Sequence, residues 1–131
     1  MKIIDGNDSI MGRIASYSAK EALQGEDIAI INCDKILISG NKTFTKEKME
    51  ASARKHGTTQ KGPIIRKTSE KFVKRAIRGM LPDRREGRGK AALRKIKCYA
   101  GVPKEFEGKK SISLGKGFVR KAITVGELMR G

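Results

Sequence analysis

The residues with the most chemistry to offer lie between Lys61 and Lys97, where fourteen Lys or Arg face three acids, Glu70, Asp83 and Glu86. Ion pairs within the chain cannot neutralise that excess, and like charges this dense repel each other unless a partner screens them. Residues 1–60 carry nine basic and eight acidic side chains, so the charge is placed rather than spread. The chemistry implied is phosphate binding, with lysine as a point charge and arginine as a planar fork able to bridge two phosphates. The candidates are Lys61, Arg66, Lys67, Lys71, Lys74, Arg75, Arg78, Arg84, Arg85, Arg88, Lys90, Arg94 and Lys95. A solvated helix face is the plainer fate of any single one of them. The one-signed excess argues for a polyanion across the set.

Arg13 is a further candidate. It sits in the first turn of an expected helix, where the dipole disfavours a cation unless an anion is shared with the free amides. A phosphate at Gly12-Arg13 is one reading, and an arginine swinging back to Asp5, Asp8 or Glu21 is the other.

Catalytic patterns are weak. Asp5-Gly6 before a helix lacks the GxGxxG of a dinucleotide site. In Gly40-Asn41-Lys42-Thr43, Asn41 separates glycine from lysine and Ile36 stands where a P-loop needs glycine. Gly115-Lys116-Gly117 is a lone GxG in a flexible region. His56, the one histidine, stands in a polar basic loop. Cys33 and Cys98 have neither zinc spacing nor an oxidising context, and are expected to be buried thiols. No metal or cofactor is expected. The aromatics Tyr17, Phe44, Phe72, Tyr99, Phe106 and Phe118 do not alternate with cations as a base-stacking platform would, and most are assigned to the core.

The elements that must position the cations follow from periodicity. Phe72, Val73, Ala76, Ile77, Met80 and Leu81 fall on one side of a helix over 69–81, capped by Ser69 and stopped by Pro82, while Lys74 and Arg78, with Lys71 and Arg75 partly, point away. A charged loop runs over 83–90, and a short helix over 89–95. Upstream, a strand at 2–4, a helix from Met11 to near Gly25 and a continuous β-branched strand at 28–31 make a βαβ unit, hence a parallel sheet with helices on its faces. Further strands are expected at 36–38 and 96–99, a weakly apolar helix at 45–55, an exposed loop at 57–62, and an extended, partner-dependent segment at 104–117. Thr124 and Glu127 are spaced as a capping box for a last short helix through Met129.

A chain of 131 residues with 37% hydrophobic content suits one modest core. The expected division is an α/β RNA-binding domain over 1–103 and a C-terminal extension with a short helix over 104–131. A net charge of +16 and a pI near 10.2 make nucleic acid the leading partner and an anionic membrane a distant second. No run is long enough to span a membrane and no signal peptide precedes the first strand, so a cytosolic protein is expected.

Ala76-Ile77-Arg78-Gly79-Met80-Leu81-Pro82, followed by Gly89-Lys90-Ala91-Ala92-Leu93-Arg94-Lys95-Ile96-Lys97-Cys98-Tyr99-Ala100-Gly101-Val102-Pro103, closely resembles the universal large-subunit ribosomal protein thirteen family, in its archaeal and eukaryotic branch. Met11 to Ser16, Ile28 to Lys35, Ile38 to Lys42 and Ile123 to Leu128 extend the resemblance over nearly the whole chain. It implies a compact three-layer α/β/α domain with a small, mainly parallel sheet of about four strands, bound to large-subunit ribosomal RNA beside neighbouring ribosomal proteins and acting early in subunit assembly. No catalytic residue comes with it. Ser69 stands where the family carries proline, and Cys33 and Cys98 where it carries small or branched apolar residues. The function expected is that of a structural constituent of the large ribosomal subunit in the cytoplasm, which takes no small-molecule substrate. The competing classes are a small nucleotide-binding enzyme using Asp5, Asp34 or Lys42, and a free RNA-binding translational regulator.

Overall fold

A computed structural model describes residues 1–55, 57–58, 60–62, 67–83, 85–114 and 121–130. The candidates Arg66 and Arg84, and also His56, Gly115-Lys116-Gly117 and Phe118, lie outside them. The chain runs β1 (Lys2–Asp5), α1 (Met11–Leu23), β2 (Ile28–Ile31), a 3-10 turn (Cys33–Lys35), β3 (Leu37–Ser39), α2 (Lys42–Arg54) and α3 (Ser69–Met80). It continues through α4 (Gly87–Lys95), β4 (Ile96–Cys98), a second 3-10 turn (Lys104–Phe106), β5 (Ile112–Ser113), β6 (Ala122–Thr124) and α5 (Val125–Arg130).

The expected βαβ unit forms, with β1 and β2 paired in parallel from Lys2 opposite Ile28 to Asp5 opposite Ile31. The sheet order is β4-β2-β1-β5, all parallel. Alternation along the strands divides the core. Ile4, Ile28, Ile30 and Ile96 face the larger cluster with Ile14, Ala15, Ala19, Ala22, Val73, Ile77 and Ala92, where α1 packs against α3 and α4. Ile3, Ala29 and Ile31 face the other way onto Phe106 and Tyr99, so the third layer is thin, a 3-10 turn rather than a long helix.

Several expectations change on contact with the fold. The strand at 36–38 forms as β3 but does not join the parallel sheet: it pairs antiparallel with β6, Ile38 opposite Ile123. The fourth strand of the main sheet is β5 instead, so residues 104–114 are held by Phe106, which is buried, and by hydrogen bonding to β1. Ser69 does not cap α3. Thr68 occupies the cap position without a side-chain bond, and the buried Ser69 donates its hydroxyl to Asp34. Met80 leaves the apolar face, 48% exposed, and Leu81 takes the core position. The cause is Pro82: the residue before proline is pushed to extended backbone, and Leu81 at φ −93°, ψ 156° turns inward there. α2 begins at Lys42, earlier than expected, because Asn41 accepts from the Thr43 N–H at 3.0 Å. Its weak apolar face is real, since none of its residues is buried. Thr124 does cap α5, accepting from Glu127 N–H at 3.2 Å, but the Glu127 carboxylate reaches Lys42 at 3.7 Å.

Ile77 is fully buried among aliphatic neighbours, and Ile77→Ala is expected to cost about 2 to 5 kcal/mol in chemical denaturation. Ser18 behaves oppositely. Its hydroxyl is buried on α1 without a hydrogen-bond partner among the described residues, so Ser18→Ala should leave stability unchanged or raise it by about 1 kcal/mol in the same measurement.

Candidate nucleic-acid interface

α3 has the buried apolar stripe that the periodicity predicts, but its cations are ordered the other way, with Lys71 and Arg75 rather than Lys74 and Arg78 the more exposed. Ser69, Val73 and Ile77 are buried, Lys71 and Arg75 are exposed, and Lys74 and Arg78 are half-buried on the flanks. What holds the helix in place is polar as well as apolar. Asp34, in the turn after β2, accepts the Ser69 hydroxyl and so sets a carboxylate at the α3 N-terminus, where Glu70 adds a second. Both complement the positive end of the helix dipole, and Arg78 in the last turn complements the negative end.

α3 also places its cations beside other elements. Lys71 and Arg75 line a cleft of about 330 Å³ with Met11, Phe72 and Leu128, facing Lys48 of α2. Lys71 and Lys74 share a second depression with Lys97, Cys98 and Tyr99. Lys48 and Lys97 are therefore members of the cationic surface absent from the initial candidates. The alternation of β4 signals Lys97, exposed between buried Ile96 and half-buried Cys98. Lys48 carries no such signal, because its helix has no buried face to set a phase.

The remaining candidates distribute as follows. Arg88 and Lys90 belong to α4 rather than to the preceding loop, since the helix begins at Gly87. Both are exposed, as are Arg85 and Arg94. Lys61 is exposed in a turn closed by Gly62 N–H to Thr58 O at 2.8 Å. Lys67 borders a separate depression with Lys46 and Arg130. Lys95 is tied into the scaffold, its ammonium donating to Gly25 O at 3.1 Å and so joining the ends of α4 and α1. Lys2 is likewise held by Glu21, whose hydrogen bond raises the lysine pKa. Among the aromatics, most of which are expected in the core, Phe44 is the exception at 63% exposed on α2 among the described residues.

Two helix starts stand out electrostatically. α1 follows Ile10 and α4 follows Glu86, neither with a side-chain cap bond and neither with an acid in its first turn. Arg13 in one and Arg88 and Lys90 in the other put cations where the dipole disfavours them. Arg13 is exposed, and among the described residues it makes no ion pair with Asp5, Asp8 or Glu21; Glu21 pairs with Lys2. Gly89 sets the position of α4: a Cβ there would lie 2.4 Å from Asp83 O and 2.5 Å from Pro82 O. Only glycine lets the helix close against the chain leaving α3.

The side chains that an enzyme reading requires are occupied. Asp5 accepts from Asn32 Nδ2 and Asn7 N–H, both at 3.0 Å, Asp34 holds Ser69, and Lys42 faces Glu127. Among the described residues no cluster of three or more metal-ligating side chains occurs. The class that fold and surface define is a small α/β domain that spends these groups on its own scaffold and carries exposed cations on its helices. The ribosomal protein L13 family matches residues 1–105. A relative from Methanococcoides burtonii is 38% identical over 135 residues, covering 99% of this chain and 96% of its own. One from Methanosarcina barkeri is 39% identical over 134 residues, covering 98% and 94%, and one from Picrophilus torridus 38% identical over 133 residues, covering 99% and 95%. Each of the three is named large ribosomal subunit protein uL13. The chain belongs to the ribosomal protein L13 family, a family of structural ribosomal proteins and not of enzymes.

Gly89→Ala should destabilise the free protein by about 1 to 3 kcal/mol, since the clash is with backbone and not with a flexible side chain. Thermal unfolding beside Gly12→Ala, where a Cβ meets nothing within 4 Å, checks that the effect is steric.

Proposed function

We propose that this chain is a structural constituent of the large ribosomal subunit, and so a cytoplasmic protein, that binds ribosomal RNA through its helical cations and enters the subunit early in assembly. The observation that carries the reading is the division of α3 into a buried apolar face and an outward cationic one, in a member of the ribosomal protein L13 family. Lys71, Lys74, Arg75 and Arg78 on α3, Arg85, Arg88, Lys90 and Arg94 on and before α4, and Arg13 on α1 are the proposed phosphate contacts. Lys61 and Lys67 are further proposed phosphate contacts, as are Arg66 and Arg84, which lie outside the described residues, while Lys95 contributes through the scaffold it braces.

The uncapped starts of α1 and α4 support this reading. A phosphate there would be shared between backbone amides and the neighbouring guanidinium, turning an unfavourable cation into a favourable pair. Recognition is of folded RNA shape and phosphate spacing rather than of base sequence. A preformed core supports early entry, because it binds without paying a large ordering cost at the moment of docking.

Affinity for large-subunit ribosomal RNA should fall about a thousandfold or more between roughly 50 and 200 mM salt if six or more phosphates are engaged. Filter binding across a salt series measures this, and a flat response would contradict phosphate-dominated binding. Arg88→Glu combined with Lys90→Glu gives a sharper test. It places acids in the first turn of α4, so the free protein should melt no lower than the parent, and RNA binding and incorporation into subunits should weaken. A variant that assembles as well as the parent would place the RNA elsewhere.

A further inference from the structure

The two cysteines are remote in sequence and neighbours in the fold. β2 ends at Ile31, Asn32 turns the chain through a left-handed conformation at φ 56°, and Cys33 follows. Cys98 closes β4 opposite Ile30. Backbone bonds fix the two exits together: Tyr99 N–H donates to Ile30 O at 2.8 Å, Cys33 N–H to Tyr99 O at 3.0 Å, and Asp34 N–H to Ala100 O at 3.4 Å. Cys33 belongs to the larger core cluster and Cys98 packs against that cluster, and the Cys33 thiol donates to Ile30 O at 3.8 Å, on the residue that Cys98 stands opposite. Their access to solvent differs. Cys33 is fully buried, whereas Cys98 is half-buried and lines the depression rimmed by Lys71, Lys74, Lys97 and Glu70.

We propose that Cys33 and Cys98 are a dithiol–disulfide couple, oxidised by an anionic low-molecular-weight disulfide that enters at Cys98, and that the bond formed ties the exit of β2 to the end of β4. The order of events follows from access and charge. Cys33 is closed off from solvent, and the neighbouring Cys98 thiol and burial also raise its pKa, so Cys33 does not react first. The Cys98 thiolate attacks one sulfur of the reagent, breaking its S–S bond and releasing one small thiolate, which takes up the proton that Cys98 lost. Three lysines against the one carboxylate of Glu70 leave the opening net positive, which favours this approach for a reagent carrying carboxylates. Cys33, adjacent to the resulting mixed disulfide, then gives up its proton, attacks Cys98 Sγ and expels the second small thiol. Two protein thiols become one disulfide, and one small disulfide becomes two thiols. The bond encloses α2, α3 and α4 in a covalent loop, which restricts the unfolded chain.

The test treats the reduced full-length protein with oxidised glutathione, blocks remaining thiols and measures intact mass and linked peptides. The proposal expects loss of both thiols without retained glutathione, a peptide joining Cys33 to Cys98 in the monomer, and a melting temperature several degrees higher that dithiothreitol reverses. Cys33→Ala should stop with one glutathione on Cys98, and Cys98→Ala should leave Cys33 unmodified while folded. Glutathione retained on Cys98 of the parent with Cys33 still free, a disulfide found only between chains, or no loss of thiols would each overturn it. The parent readout decides even where a variant fails to fold.

Discussion

β2 lies between β1 and β4 with Ile28, Ala29, Ile30 and Ile31 all buried, and the burial of both its faces is the constraint from which the other elements follow. A strand covered on two sides needs apolar partners above and below. α1, α3 and α4 supply one side, Phe106 and Tyr99 the other. The strand must also end in an ordered way, because its exit is where α3 is anchored. Asn32 donates to Asp5, Cys33 to Tyr99 and Asp34 takes Ser69, so three successive residues after β2 connect it to β1, to the end of β4 and to the start of α3.

Charge serves both the scaffold and the surface. Lys2, Lys42, Arg54 and Lys95 are engaged by carboxylates or a carbonyl and serve the scaffold. Exposed pairs such as Arg54 with Glu50 contribute little to stability, so their role is to shape the surface rather than to hold the core. The cations of α3 and α4 stand on helices whose inner faces are fixed by Val73, Ile77, Ala92 and the close approach at Gly89. A rigid inner face gives an outward charge a defined position, which is what recognition of phosphate spacing demands.

Much of this was legible in the residues. β1, α1, β2 and α3 announce themselves because each buries one face or two, and burial writes a period into the sequence. Ile112–Ser113 did not, since a two-residue edge strand in a lysine-rich stretch has no period, and only the free edge of β1 recruits it. The partner of β3 was hidden for a related reason: Ile36 to Ile38 reads as a strand, but nothing local says that Ala122–Thr124 will pair with it. Within the interface, the excess of cations was visible by counting. The assignment of Lys95 to a carbonyl and of Ser69 to Asp34 was not, because both are contacts between elements far apart in the chain. The approach of Cys33 to the end of β4, where Cys98 lies, belongs to the same category.

The central claim is that one side of this molecule, built from α3, α4 and the start of α1, lies on ribosomal RNA. Crosslinking of RNA to protein within intact large subunits, read out by mass spectrometry at residue level, tests it most directly. The account predicts crosslinks at or beside Arg13, Lys71, Arg75, Arg88 and Lys90. Crosslinks confined to the side covered by Phe106, around Lys104 and Lys109, with none on the helical cations, would contradict it.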